Sequence, residues 1–198
     1  NHKAACTTIL ASLMGAMKRQ RGDTDSLDMA TVHTPPSELL RAGPRAISSD
    51  VLDTLLRDNK VFKFTIVRDP VARTVSAWAD KIAKKDVQHK RLMKHLGRDK
   101  SEDLSLSAFL DIIAQNPQAL DFDRHWRPQR KEISYDQISY DFVGDMAELS
   151  VSLSKIMTQL FGPTGHHIDD TRKSMGHKTS SRDLLADLTA QDRRNLMM

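Results

Sequence analysis

The stretch Val61-Phe62-Lys63-Phe64-Thr65-Ile66-Val67-Arg68-Asp69-Pro70-Val71-Ala72-Arg73-Thr74-Val75-Ser76-Ala77-Trp78 changes its hydrophobic period in the middle, and that change decides the fold class. Val, Ile, Thr and Phe dominate residues 61–67, which predicts a strand. Asp69 suits a helix cap, and Pro70 suits the first helical turn, where the donor it lacks would have no partner anyway. From there Val71, Val75, Trp78 and Ile82 recur at helical spacing and predict one buried stripe on a helix running from Pro70 to about Lys85. Arg73, Ser76 and Asp80 fall on a different face. An arginine at the junction of a strand and a helix N-terminus makes an anion site, because backbone N–H groups, the helix dipole and a guanidinium converge there. The plain alternative is an ordinary strand-to-helix turn with a surface arginine.

Working outward, Ile9, Leu10, Leu13, Met14 and Met17 form a helical stripe that Thr7 or Thr8 can cap. Residues 19–47 are polar and hold Pro35, Pro36, Gly43 and Pro44, so they predict a long connection with a short strand near Val32. Ser48 and Ser49 introduce a compact helix carrying Val51, Leu52, Leu55 and Leu56. Residues 84–103 are strongly charged and predict an exposed segment that continues the preceding helix through Leu92 and Met93. A helix fits Ser107–Gln115, ended by Asn116-Pro117. Residues 118–137 are too rich in charge and proline for regular structure. Ile138–Val143 is a second strand, Glu148–Phe161 a helix closed by Gly162-Pro163, residues 164–182 a basic loop, and a last helix starts near Arg182. Strands alternating with helices predict an α/β fold with a parallel sheet covered on both faces.

The 198 residues suit one domain with a real core, and 39% hydrophobic with 28% charged residues is a globular composition. No run approaches the ~18 apolar residues of a membrane span, and no signal peptide opens the chain. The lone cysteine, Cys6, excludes an internal disulfide and carries no sign of an oxidising compartment, so the expected location is cytoplasmic. A net charge of +4 leans towards anionic partners without choosing among them. The chain is expected to be trimmed at both ends, with a strand before residue 1.

Lys3-Ala4-Ala5-Cys6-Thr7-Thr8 places a lysine, two hydroxyls and backbone N–H groups at the start of a helix, the ingredients of a phosphate-binding loop. It lacks the Gly-x-x-x-x-Gly-Lys-Ser/Thr pattern of an ATP-binding loop. Simple helix capping is the alternative for this segment alone.

Lys-x-x-Cys-Thr-Thr, followed about sixty residues later by Val-Arg-Asp-Pro-x-x-Arg-x-x-Ser-Ala-Trp, resembles the carbohydrate sulfotransferases, above all the chondroitin and dermatan group. The resemblance continues in Asp123-Arg124-His125-Trp126-Arg127-Pro128-Gln129, which is similar to the family's His-Trp-x-Pro-Gln element. Tyr140-Asp141-Phe142-Val143-Gly144 is similar to its Tyr-Asp-Phe-Ile-Gly strand. It implies a single sulfotransferase domain over residues 1–198, with a three-layer parallel sheet flanked by helices, of the P-loop NTPase-like type. It implies 3′-phosphoadenosine 5′-phosphosulfate (PAPS) as donor, a carbohydrate or other hydroxyl-bearing acceptor, and no metal. Carried over by position, Lys3, Cys6, Thr7 and Thr8 hold the donor's 5′ end, and Arg68 and Ser76 hold its 3′-phosphate. Lys173 and Lys178 belong to a late basic loop, Asp170–Ser180, that resembles the mobile loop closing over the 3′-phosphate. Two positions depart from the family pattern. Ile133 stands where a cysteine is common, and Gly144-Asp145-Met146-Ala147 replaces Gly-Lys-x-Glu, which leaves Glu148 without an implied role.

Sulfuryl transfer needs in-line positioning, neutralisation of the leaving phosphate and a base for the attacking hydroxyl. Lys3 is the candidate for the leaving oxygen. His125 is the candidate base, because histidine can accept a proton at neutral pH; a structural histidine beside Trp126 is the alternative. His166-His167-x-Asp169-Asp170 is not a metal site on this reading, since adjacent side chains diverge. Two other classes compete: a nucleotide-dependent kinase of related architecture, and a basic module binding nucleic acid or another polyanion. The missing glycine-rich loop counts against the first. The 5% aromatic content, too low for a stacking platform, counts against nucleic acid.

Overall fold

The computed structural model describes residues 5–23, 25–33, 48–163 and 181–196. These fall into two compact units, and the chain passes between them at Val67–Arg68 and again at Ser134–Tyr135.

The first unit holds the sheet. It contains α1 (Cys6–Gln20), α2 (Ser49–Arg57), β1 (Phe64–Val67), β2 (Phe142–Asp145) and α8 (Leu149–Phe161). β1 and β2 pair in parallel, with Phe64 opposite Phe142 and Ile66 opposite Gly144. Parallel neighbours need a long crossover, and here residues 68–134 of the second unit lie between them in the chain. The pair is closed at both ends: Asp141 N–H donates to the Lys63 carbonyl at 2.8 Å, and Met146 N–H to the Val67 carbonyl at 2.8 Å. Ile66, Leu149, Leu153 and Ile156 form the core beneath it, with Ile9, Phe62 and Phe64 packed against them.

The α/β class and the parallel pairing agree with the sequence, while the bounds shift. β1 begins at Phe64, not Val61, because Lys63 folds its ammonium back onto the Asp58 and Val61 carbonyls and so shapes a turn before the strand. β2 runs Phe142–Asp145, later than the predicted 138–143. No strand forms at Val32. Asp28 caps a 3₁₀ turn over Met29–Thr31 by accepting from Ala30 N–H, and Val32 is buried just after it. Of the stripe expected on α1, Met14 is fully buried and Ile9 packs against the sheet core, while Leu10 and Leu13 are only partly buried. Thr8, Ala11, Ser12, Gly15 and Ala16 complete the buried set, a mostly small face that permits close packing.

Gly144 illustrates how tightly α8 sits on β2. A Cβ there would lie 2.8 Å from Ser152 Cβ, and Ser152 Oγ already bridges the Asp145 N–H and carbonyl, each at 3.1 Å. Gly144→Ala is expected to cost about 1–3 kcal/mol through overpacking. The denaturant midpoint should therefore fall with an unchanged slope; an unaltered midpoint would show that α8 docks more loosely.

The second unit is helical: α3 (Pro70–Ala77), a π-helical turn (Trp78–Ile82), α4 (Val87–His95), α5 (Leu106–Gln115), α6 (Pro117–Asp121), α7 (Gln129–Glu132), α9 (Ser181–Ala186) and α10 (Ala190–Leu196). The expected stripe holds, with Val75 and Ile82 fully buried and Val71 and Trp78 packed beside them. The helix does not run on to Met93. Lys85 adopts a left-handed φ of 51° and Asp86 caps a new helix, α4, whose His89, Leu92 and Met93 are buried despite the charged surroundings. Residues 118–137 likewise contain order missed in the sequence. Asn116 caps α6 by accepting from Gln118 and Ala119 N–H, with Pro117 in its first turn.

Candidate functional site

Of the sequence-derived site residues, Lys3, Lys173 and Lys178 lie outside the described residues, as does the His166–Asp170 cluster. Cys6, Thr7 and Thr8 belong to the sheet unit; Arg68, Ser76 and His125 belong to the helical unit.

In the sheet unit, α1 starts at Cys6 and places Thr7 and Thr8 inside its first turn, so neither is the cap. The capping position is Ala5, which adopts a left-handed φ of 56° and offers no side-chain acceptor. Such a conformation in a non-glycine residue costs on the order of 1–2 kcal/mol and directs successive N–H groups to one side, as anion-binding turns do. Thr8 is 3% exposed. Thr7 Oγ1 is 3.0 Å from His33 Nε2, a contact between residues 26 apart that no local pattern signals. A hydroxyl has one donor and two acceptor sites, so this bond leaves capacity for another partner.

The helical unit shows more. Asp69 caps α3 by accepting from Ala72 N–H at 2.7 Å, as the sequence implied. The Arg68 peptide is gripped by one side chain: its N–H donates to Gln129 Oε1 at 2.9 Å, and its carbonyl accepts from Gln129 Nε2 at 2.6 Å. The Arg68 turn and the His125–Gln129 segment, remote in sequence, are thereby joined. The Arg68 guanidinium is partly buried, and that burial lowers its pKa against the supporting charge of Asp69.

Arg73 binds the same segment from α3. It is 2% exposed, donating from Nη1 to the Arg127 carbonyl at 2.6 Å and from Nη2 to the Arg124 carbonyl at 2.7 Å. Burial pulls its pKa down to about 10, Glu132 works in the opposite direction, and the nearby positive charge of Arg68 adds to the lowering. Arg73 is thus a buried brace, with both Nη groups taken by backbone carbonyls. Ser76 is 4% exposed, three residues beyond Arg73 and thus beside it on the helix surface. The helix face that carries Arg73 and Ser76, apart from the apolar stripe, is enclosed as well.

The turn carrying His125 is braced throughout. Glu132 pairs with Arg124 at 3.0 Å, and Arg127 donates from Nη2 to the Asp121 carbonyl at 2.7 Å. Trp126 is 2% exposed, donates from Nε1 to the Ala119 carbonyl at 2.9 Å, and meets Phe109 edge-to-face at 5.4 Å. Asp123 Oδ1 accepts from both the His125 N–H, at 3.0 Å, and the ring Nδ1. Burial would raise the Asp123 pKa, but the hydrogen bonds from His125 and the charges of His125 and Arg91 outweigh it and hold the carboxyl below its usual range. Because that pKa is depressed on folding, the contribution of Asp123 to stability is complete above the ordinary carboxyl value of about 4 and is lost as pH falls through the lower folded value.

Arg73, Gln129, Glu132 and Asp123 have roles that the sequence did not assign. Asp-x-His spacing, which permits a local Asx-type turn, was the one available signal, and it pointed to Asp123. Elsewhere in this unit, an open pocket of about 370 Å³ is lined by Trp78, Arg98, Asp103 and Leu104 among others, and none of the sequence-derived site residues borders it. Among the described residues no group of three or more His, Cys, Asp or Glu is placed to hold a metal ion, and no helix is long and apolar enough to cross a membrane.

This arrangement joins a partly buried arginine before a helix N-terminus to a turn whose histidine ring is oriented by a carboxylate. The chain belongs to the Sulfotransferase family, whose sequence model matches residues 2–197. Sulfuryl transfer is the chemistry that membership supports, with a hydroxyl-bearing acceptor as the natural second substrate. No curated protein and no solved structure matches the chain.

Proposed function

We propose that this chain transfers the sulfuryl group of PAPS to a hydroxyl of a carbohydrate acceptor. The observation that carries the reading is the knot formed by Arg68, Arg73 and the Asp123–Gln129 turn, in which a donor-phosphate arginine and a candidate base share one rigid support. Arg68, with Ser76, receives the 3′-phosphate. Cys6, Thr7 and Thr8 receive the 5′ end in the first turn of α1, and Lys3 neutralises charge on the leaving oxygen. His125 takes the proton of the attacking hydroxyl. Lys173 and Lys178 assist at the 3′-phosphate. A single domain over residues 1–198, built on a three-layer sheet larger than the described pair of strands, belongs to the same proposal. So does a reducing, cytoplasmic setting, in keeping with the lone Cys6.

Thermal unfolding with 3′-phosphoadenosine 5′-phosphate, AMP, ATP or an oligonucleotide tests the donor assignment. A ligand at about 100 times its Kd adds roughly 2.7 kcal/mol, or about 5–10 °C for a chain of this size. The bisphosphate should give that shift and Arg68→Ala should abolish it. An equal response to AMP would remove the 3′-phosphate site, a response to ATP alone would favour a kinase, and one to oligonucleotide alone a polyanion-binding module. Transfer of labelled sulfate to a panel of glycans would then identify the acceptor.

A further inference from the structure

We infer that Asp123 is a positioning residue for His125, fixing the protonated nitrogen at Nδ1 so that Nε2 is the atom that receives the acceptor's proton. The inference rests on the sulfuryl-transfer reading with His125 as base, and extends it to the atom that does the work.

The geometry is specific. One carboxylate oxygen of Asp123 accepts two hydrogen bonds from a single residue, the backbone N–H of His125 and its ring Nδ1. An ionised carboxylate only accepts, so Nδ1 must carry the hydrogen, and in the neutral ring the lone pair then resides on Nε2. The backbone bond fixes where the turn places the histidine; the ring bond fixes how the ring is rotated. Both side chains are mostly buried, at 15% exposure for His125 and 10% for Asp123, which strengthens the pairing by limiting competition from water.

The charged groups around this pair support the same assignment. From α4, the Arg91 guanidinium lies over the Phe122 ring, 5.8 Å from its centroid, and its charge helps keep Asp123 ionised. His95, one turn further on, stacks on the same ring at 4.9 Å. On the turn itself, Arg124 is committed to Glu132 and Arg127 to the Asp121 carbonyl. From α3, Arg73 holds the two backbone carbonyls that flank His125 and Trp126. Thus Asp123 is the carboxylate on the imidazole, and the neighbouring cations brace the turn or hold Asp123 as an anion.

In the step this serves, an acceptor oxygen forms its bond to sulfur while the bond between sulfur and the bridging phosphate oxygen breaks. The electron pair of the broken bond stays on the leaving phosphate. The acceptor's proton passes to Nε2, and the imidazolium so formed keeps its Nδ1–H on Asp123, which stabilises the positive charge without itself taking a proton.

Nitrogen-15 NMR of histidine-labelled protein reads the tautomer directly, with His125→Gln used to assign the signal. The expected result at alkaline pH is a protonated Nδ1 and an unprotonated Nε2; the opposite tautomer would overturn the inference. Kinetics give a second, independent readout. Asp123→Asn keeps an oxygen for the backbone bond, and should reduce kcat by at least about 10-fold while leaving the dissociation constant for 3′-phosphoadenosine 5′-phosphate unchanged. In the same variant the histidine nitrogen signals should lose their preference for a protonated Nδ1. A purely structural role would lower the melting temperature without changing the tautomer, and an unchanged tautomer with full kcat would overturn the inference. The base reading fails separately: it is lost if His125→Ala keeps full turnover, whereas loss of activity in His125→Ala beside a normal Asp123→Asn sinks the positioning role alone.

Discussion

His125→Ala should lose about 100- to 10,000-fold in kcat while binding 3′-phosphoadenosine 5′-phosphate nearly as well as the parent, the range expected when a general base is removed from an otherwise intact site. The split between turnover and binding follows from the architecture. His125 sits on a turn held by Trp126, Arg73 and Gln129, none of which depends on the imidazole. Arg68 is held through its backbone by Gln129, so it should stay in place when the ring is truncated. Truncation does leave the Asp123 carboxylate short of one donor, and a modest fall in melting temperature is expected alongside the kinetic loss. Single-turnover transfer of labelled sulfate, with calorimetric binding of the bisphosphate, separates the two effects. Full turnover in this variant would remove His125 from the chemistry.

Arg73→Ala should be the most destabilising substitution considered, at about 3–5 kcal/mol, the range for breaking a buried, paired charge. Three effects combine. The Arg124 and Arg127 carbonyls lose their donors, a long side chain that is 2% exposed leaves a cavity, and Glu132 loses a favourable neighbouring cation. Arg73→Lys should recover only part of the loss, since one ammonium on a flexible stem does not reproduce a planar fork spanning two carbonyls. Urea unfolding of the two variants gives the comparison. Equal stability of Arg73→Lys and the parent would mean that charge alone, and not the fork, supports the turn.

What could be read in the sequence was local. The Val61–Trp78 stretch declared its strand, its cap and its buried stripe because each depends on neighbours within a turn or two. Asp69 capping Ala72 and the Val71–Ile82 stripe therefore appear as expected. Where the reading failed, a competing local interaction won. Lys63 turned its ammonium onto two carbonyls and delayed β1, Asp28 recruited the segment before Val32 into a 3₁₀ turn, and Asp86 restarted a helix that Lys85 had broken. The partnership of Arg73 with the Arg124 and Arg127 carbonyls could not be read at all. It joins groups more than fifty residues apart, and a backbone carbonyl looks the same in every sequence. The same holds for Gln129 on the Arg68 peptide. The residue types proposed for the site could be picked out in the sequence, whereas the scaffolding around Arg68 and His125 could not.

The widened turn at Trp78–Ile82 carries a last consequence. Ala83 N–H reaches back to the Trp78 carbonyl at 2.9 Å, so this turn contains one more residue than an α-helical one would. Closing it to regular α-helical winding would take the removal of a single residue, and because the extra residue is already absorbed within the widened turn, the chain that follows would keep nearly its present direction. Ile82, now 1% exposed, should then stay in the interior. A one-codon deletion should be tolerated better at this place than within the regular winding of α3, where it would rotate the following residues by about 100°.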